Sequence, residues 1–109
     1  GLPFRAKADI ITKDGNIIDL KTTTNISQFK YSANTWNYDM QCYIYCNIFG
    51  ITYDRFKIIG IDKDSLVSKY FSISEEFYLK GEAKLKKATD EYKNFVNTDL
   101  DEYLKIDIL

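Results

Sequence analysis

The chain contains no histidine, which removes Ser-His-Asp and Cys-His nucleophilic machinery and the zinc sites that imidazole usually completes. Any chemistry must run on carboxylates and lysines. Only two cysteines occur, Cys42 and Cys46, four apart in an apolar segment. That spacing suits small buried residues on one helix face, and two thiolates fall short of the roughly four an iron–sulfur cluster takes. No apolar run approaches the roughly 20 residues that cross a bilayer, and Gly1 to Lys13 reads neither as a signal peptide nor as an Arg-rich presequence. The expected location is the cytoplasm, with no membrane partner. Excess charge is also missing: 15 Lys and Arg against 16 Asp and Glu give a net charge of -1. Bulk electrostatics therefore makes no case for nucleic acid, and any such binding must come from a local patch.

What is present is ordinary globular composition, 45% hydrophobic and 28% charged, with one proline, five glycines and no biased tract. At 109 residues the chain is expected to form one domain over 1–109, with a modest core. Its 16% aromatic content, nine tyrosines included, falls mostly at core spacing and marks no stacking platform.

Phe4 to Thr12 alternates, with Arg5, Lys7 and Asp9 on one parity and Ala6, Ala8 and Ile10 on the other, as a strand does. Asp14-Gly15 is a turn signal, and Asn16 to Thr23 reads as the second strand of an antiparallel hairpin turning over Lys13 to Asn16. Asn25 to Asn34 fits a short helical turn or an ordered loop, with a break at Ser32 to Thr35. Trp36 to Phe49 carries Tyr38, Cys42, Tyr45, Cys46 and Phe49 at helical spacing and ends at Gly50, a C-terminal cap. Arg55 to Asp62 and Val67 to Ile73 read as a second hairpin around the turn Asp62 to Ser65. Ser74 with Glu75 and Glu76 then starts a long helix with the stripe Phe77, Gly81, Leu85, Ala88, Tyr92 and Phe95. Asp99 to Leu109 is amphipathic, and its period fits a short helix or a strand equally. The fold class is α+β, a small mixed sheet of about four strands flanked by helices.

The chemistry-bearing residues are Asp9 and the tripeptide Asp19-Leu20-Lys21. Strand residues two apart face the same way, so Asp19 and Lys21 share a face, and pairing with the first strand brings Asp9 beside them. Two uncompensated carboxylates at about 4 Å repel by on the order of 4 kcal/mol at an effective dielectric of 20, so the pair asks for a cation. Partly open oxygen ligands suit Mg²⁺ or Mn²⁺, which would polarise a phosphate oxygen and acidify a bound water while Lys21 positions it. The plainer reading of the tripeptide alone is an exposed strand ion pair. Two other acid-x-Lys triplets, Glu82-Ala83-Lys84 and Glu91-Tyr92-Lys93, fall on the long helix, where residues two apart do not face each other.

The order of Asp9, the Asp14-Gly15-Asn16 turn, Asp19-Leu20-Lys21-Thr22-Thr23 and a helix bearing Gln41 and Tyr45 resembles the PD-(D/E)xK nuclease superfamily. Its RecE-type exonucleases of phage and prophage recombination resemble it most closely. The resemblance extends more weakly to Tyr38, to Ile61-Asp62-Lys63, and to Gly81 and Tyr92, spanning roughly Lys7 to Val96. Ala8 stands where the superfamily name has proline. The resemblance implies a restriction-endonuclease-like core, with Asp9 and Asp19 as metal ligands for Mg²⁺ or Mn²⁺ and Asp9, Asp19 and Lys21 as the catalytic cluster. Gln41, Tyr45, Thr22 and Lys7 are the supporting or substrate residues. The family also draws a Glu or His from a helix upstream of the first strand, so the chain is expected to hold the core without that helix.

The implied activity is metal-dependent exonucleolytic cleavage of double-stranded DNA ends, in bacterial or phage-infected cytoplasm. The implied partners are double-stranded DNA, further copies in a ring-like homo-oligomer and a single-strand annealing protein. Arg5 and Lys7, on the strand parity of Asp9, and the helical stripe Lys80, Lys84 and Lys87 are candidate phosphate contacts. A solvated face is the plainer account of the stripe. Other readings are a superfamily endonuclease, a CRISPR-associated-type exonuclease, which the missing cysteine quartet disfavours, and a non-catalytic DNA-binding or assembly module.

Overall fold

The computed structural model describes residues 8–96. Strand β1 (Ile10–Ile11) pairs antiparallel with β2 (Ile17–Thr23) in the register Ile10 to Ile18, around a turn in which the Gly15 N–H donates to the Thr12 carbonyl. A 3₁₀ turn (Ile26–Gln28) leads into α1 (Phe29–Thr35) and α2 (Tyr38–Phe49). Next come a second 3₁₀ turn (Tyr53–Arg55), β3 (Phe56–Asp62), β4 (Ser68–Ser72) and α3 (Glu75–Val96). The sheet order is β1-β2-β3-β4, with β2 and β3 parallel and the outer pairs antiparallel. This is the mixed four-stranded α+β architecture expected from the sequence. Among the described residues no helix is long and apolar enough to cross a membrane.

Alternation places the core on one sheet face. β3 buries every second residue, Phe56, Ile58, Gly60 and Asp62, and β2 buries Ile17 and Asp19. Phe29 and Ala33, one helical turn apart on α1, and Cys42 and Cys46 on α2 complete the layer. The Cys42 and Cys46 sulfurs lie 4.0 Å apart as free buried thiols. Phe29 stacks on Phe71 of β4 at 4.6 Å between ring centroids. Gly50 closes α2 at φ 66, the left-handed conformation that glycine adopts without steric cost.

Three details differ from the sequence reading. The ladder of β1 starts at Ile10 because the Leu20 N–H donates to the Asp9 carboxylate at 2.9 Å, so a side chain takes the donor that a strand carbonyl would have met. The stretch Phe4 to Lys7 lies outside the described residues, as does Asp99 to Leu109. Ser32 to Thr35 is helical, since burial of Phe29 and Ala33 carries the helix through it, and the break falls at Trp36 and Asn37. Asn37 turns the chain at φ 59, which asparagine tolerates better than most residues. Finally, α3 buries Gly81 and half-buries Phe77 and Leu85, but leaves Ala88 and Tyr92 exposed. Its 22 residues extend about 33 Å beside the 12 residues, about 18 Å, of its partner α2. Its second half simply outruns that partner.

Lys84 is not part of a free basic stripe. Its ammonium reaches Asp39 Oδ2 at 2.8 Å and Oδ1 at 3.0 Å, and donates to the Asn34 carbonyl at 3.1 Å. Asp39 is fully buried on α2, so this cation compensates a charge that burial would otherwise penalise. Lys84→Ala is expected to destabilise the fold by about 2 kcal/mol, below the 3–5 kcal/mol of a wholly enclosed pair because water reaches the lysine. Urea unfolding measures it, and an unchanged midpoint would show the pair to be inert.

Candidate active site

Asp19 and Lys21 sit two apart on β2 and face the helical layer, as strand alternation requires. Lys21 Nζ lies 3.0 Å from Asp19 Oδ2 and 4.5 Å from the centre of the Tyr38 ring, so α2 supplies a cation–π seat that holds the ammonium over the carboxylate. Continuing the β1–β2 register past Ile10 and Ile18 sets Asp9 opposite Asp19. The Asp9 carboxylate is anchored there by the Leu20 N–H.

Asp19 is 3% exposed. Burial pushes its carboxyl above the ordinary 3.8; the Lys21 ammonium opposes that shift, and the Asp9 carboxyl adds to it. Among the described residues no donor is aligned on the buried Oδ2 for a hydrogen bond, although Lys21 stands beside it. This is a buried acid whose charge is only partly met. In linkage terms, the folded state holds the Asp19 proton more tightly than the unfolded chain does. The stability tied to that proton is fully present below about pH 3.8 and is lost as pH rises through the raised folded value. Thermal melts of metal-free protein are expected to show this slope, and Asp19→Asn is expected to remove it.

Gln41 and Tyr45 share a face of α2, but the Gln41 amide donates to the Tyr45 hydroxyl at 3.3 Å, and the Tyr45 ring packs edge-on against Phe56 at 6.0 Å between centroids. Gln41 and Tyr45 are thus engaged with each other, and Tyr45 with Phe56, in this arrangement. Tyr38, only a minor part of the sequence resemblance, is the α2 residue that reaches the cluster. Its signal was the spacing: Tyr38, Gln41 and Tyr45 step by three and four along one helix face. Thr22 is exposed on a cleft beyond Lys21, and Lys7 lies outside the described residues.

Among the described residues no group of three or more His, Cys, Asp or Glu side chains is placed to cage a metal. The donor set is instead two juxtaposed carboxylates, one with a buried oxygen lacking an aligned donor. That fits a hard cation such as Mg²⁺, which takes one or two carboxylates and completes its shell with waters and substrate phosphate. The family model described as a PDDEXK-like domain of unknown function (DUF3799) matches residues 1–102.

The chain belongs to this family.

No curated protein matches it. Membership gives the PDDEXK-like domain a nuclease-type fold, and the four-stranded mixed sheet and three α-helices of the described residues fit the restriction-endonuclease-like core.

Proposed function

We propose that the PDDEXK-like domain is the core of an Mg²⁺-dependent DNA exonuclease similar to the RecE-type enzymes of phage-type recombination. The observation supporting it is the convergence of Asp9, Asp19 and Lys21 from two paired strands, with the buried Asp19 incompletely compensated. Asp9 and Asp19 would hold the cation, which when bound would supply the positive charge that hydrolysis of a phosphodiester calls for. Lys21, fixed by Asp19 and the Tyr38 ring, orients the attacking water and steadies negative charge growing on the phosphoryl group. The water oxygen bonds to phosphorus as the P–O bond to the leaving sugar oxygen breaks; the water gives up its proton to bulk solvent, and the sugar oxygen takes one from solvent. Gln41 and Tyr45 brace α2 behind Tyr38. Double-stranded DNA ends are the substrate, and further copies in a ring and a single-strand annealing protein are the partners of this reading.

Calorimetric titration of Mg²⁺ and Mn²⁺ into wild type and Asp19→Ala, with linear and covalently closed circular DNA incubated in the same samples, tests it. Cation binding and loss of linear DNA alone are expected, both vanishing in the variant. Cleavage of the circle would make the enzyme an endonuclease. A folded wild type that binds neither cation would leave a non-catalytic DNA-binding module.

A further inference from the structure

The parallel strands β2 and β3 end at Thr23 and Asp62, and ligands of open sheets collect beyond the carboxyl ends of such strands. A cleft of about 280 Å³ opens there, lined by Thr22, Thr23, Thr24, Ser32, Trp36 and Lys63. Tyr38 is also in its wall, so the cleft shares a side chain with the seat of the Lys21 ammonium.

Trp36 is 69% exposed, yet its backbone is fixed. Its N–H donates to the Ser32 carbonyl at 2.9 Å, and the left-handed Asn37 after it bonds back to the Asn34 carbonyl at 3.3 Å. The indole is therefore presented from a rigid corner between α1 and α2. Across the cleft, the Lys63 N–H donates to the Thr23 carbonyl at 2.9 Å, tying the two strand ends together. The Lys63 side chain is exposed, and among the described residues its ammonium forms no ion pair. An open π-face on an anchored backbone, a cation that makes no ion pair among the described residues and a row of hydroxyls complement a base and its phosphate. The cleft's volume is on the scale of one nucleotide.

We propose that this cleft is a subsite for one unpaired nucleotide of the DNA strand engaged at the carboxylate cluster, with Trp36 stacking on its base and Lys63 meeting its phosphate. It rests on the nuclease reading for the identity of the strand. A duplex end must fray by a nucleotide to fill it, so single strands enter more readily than blunt duplex.

Trp36 is the only tryptophan of the chain, so emission excited at the red edge, where the nine tyrosines absorb little, reports on this cleft. A short oligodeoxythymidylate is titrated in EDTA, where cleavage cannot interfere, and the anisotropy of a labelled copy gives affinity independently. Quenching of Trp36 emission is expected. Trp36→Ala should weaken binding about tenfold while Trp36→Phe keeps most of it, as stacking predicts. Lys63→Ala should weaken binding and lower the salt slope by about one phosphate contact. The proposal is overturned by anisotropy-detected binding without an emission change, by Trp36→Ala binding as wild type does, or by no binding of the oligonucleotide. Failure of cleavage with quenching intact would remove the nuclease reading and leave the subsite. Cleavage with unchanged emission would do the reverse.

Discussion

Replacing Gly81 with alanine is expected to destabilise the protein by more than about 3 kcal/mol, read as a fall in Tm of more than about 10 °C. Helix propensity predicts the opposite sign, because alanine in an exposed helix interior is favoured over glycine by about 1 kcal/mol. The structure decides between the two effects. Gly81 is buried where α3 crosses α2, and a Cβ there would overlap the carbonyl oxygen and carbon of Asp39. Those are backbone atoms, so no side-chain rotation relieves the overlap, and the helices must separate. Separation would also stretch the Lys84 contacts to Asp39 and Asn34 that span the same crossing. Ala83→Gly, two residues on and exposed, is the control, expected to lose only the propensity term of about 1 kcal/mol. A Gly81→Ala protein that melts at or above the wild-type temperature would show that the two helices do not approach this closely.

Asp19→Asn is expected to reduce DNA cleavage by about a thousandfold, some 4 kcal/mol in transition-state free energy, without lowering the stability of the fold. The amide keeps the shape and one acceptor oxygen near Lys21 but removes the negative charge that would hold a cation with Asp9. It also removes the cost of ionising a buried carboxyl, the largest cause of the upward shift at this position. A group maintained for structure would behave differently, since breaking a stabilising ion pair lowers Tm. The measurement pairs initial rates on linear DNA with thermal melts of the same preparations at neutral pH. Wild-type rates in the variant would remove Asp19 from catalysis, and a large loss of Tm would make its ion pair with Lys21 structural. An unchanged or higher Tm with lost activity is the pattern of a site whose residues are held against their own electrostatic preference.

Much of this was legible in the sequence because it depends on local rules. Two-residue alternation put Asp19 and Lys21 on one face whatever the surroundings, and the turn at Gly15 with the hairpin register carried Asp9 to them. Ser74 marked the start of α3, its hydroxyl accepting the Phe77 N–H at 3.1 Å, and Gly50 marked the end of α2. Absence of histidine by itself confines the chemistry to carboxylates and lysine.

Tertiary structure decided everything that depends on which elements meet. Spacing showed Tyr38, Gln41 and Tyr45 on one face, but only the packing of α2 over the sheet determined that Tyr38 receives the Lys21 ammonium while Gln41 turns to Tyr45. Lys84 belonged to a basic stripe by sequence; a fully buried Asp39 on another helix drew it inward, because an enclosed carboxylate is costly without a cation. Gly81 was a helix weakness by propensity and became a requirement through the close approach of α2. Trp36 matched no motif, and its exposure beside Lys63 follows from where the strands end and the helices turn. Local pattern therefore determined the face that carries the carboxylates, whereas burial and long-range contact determined which side chains pack around it.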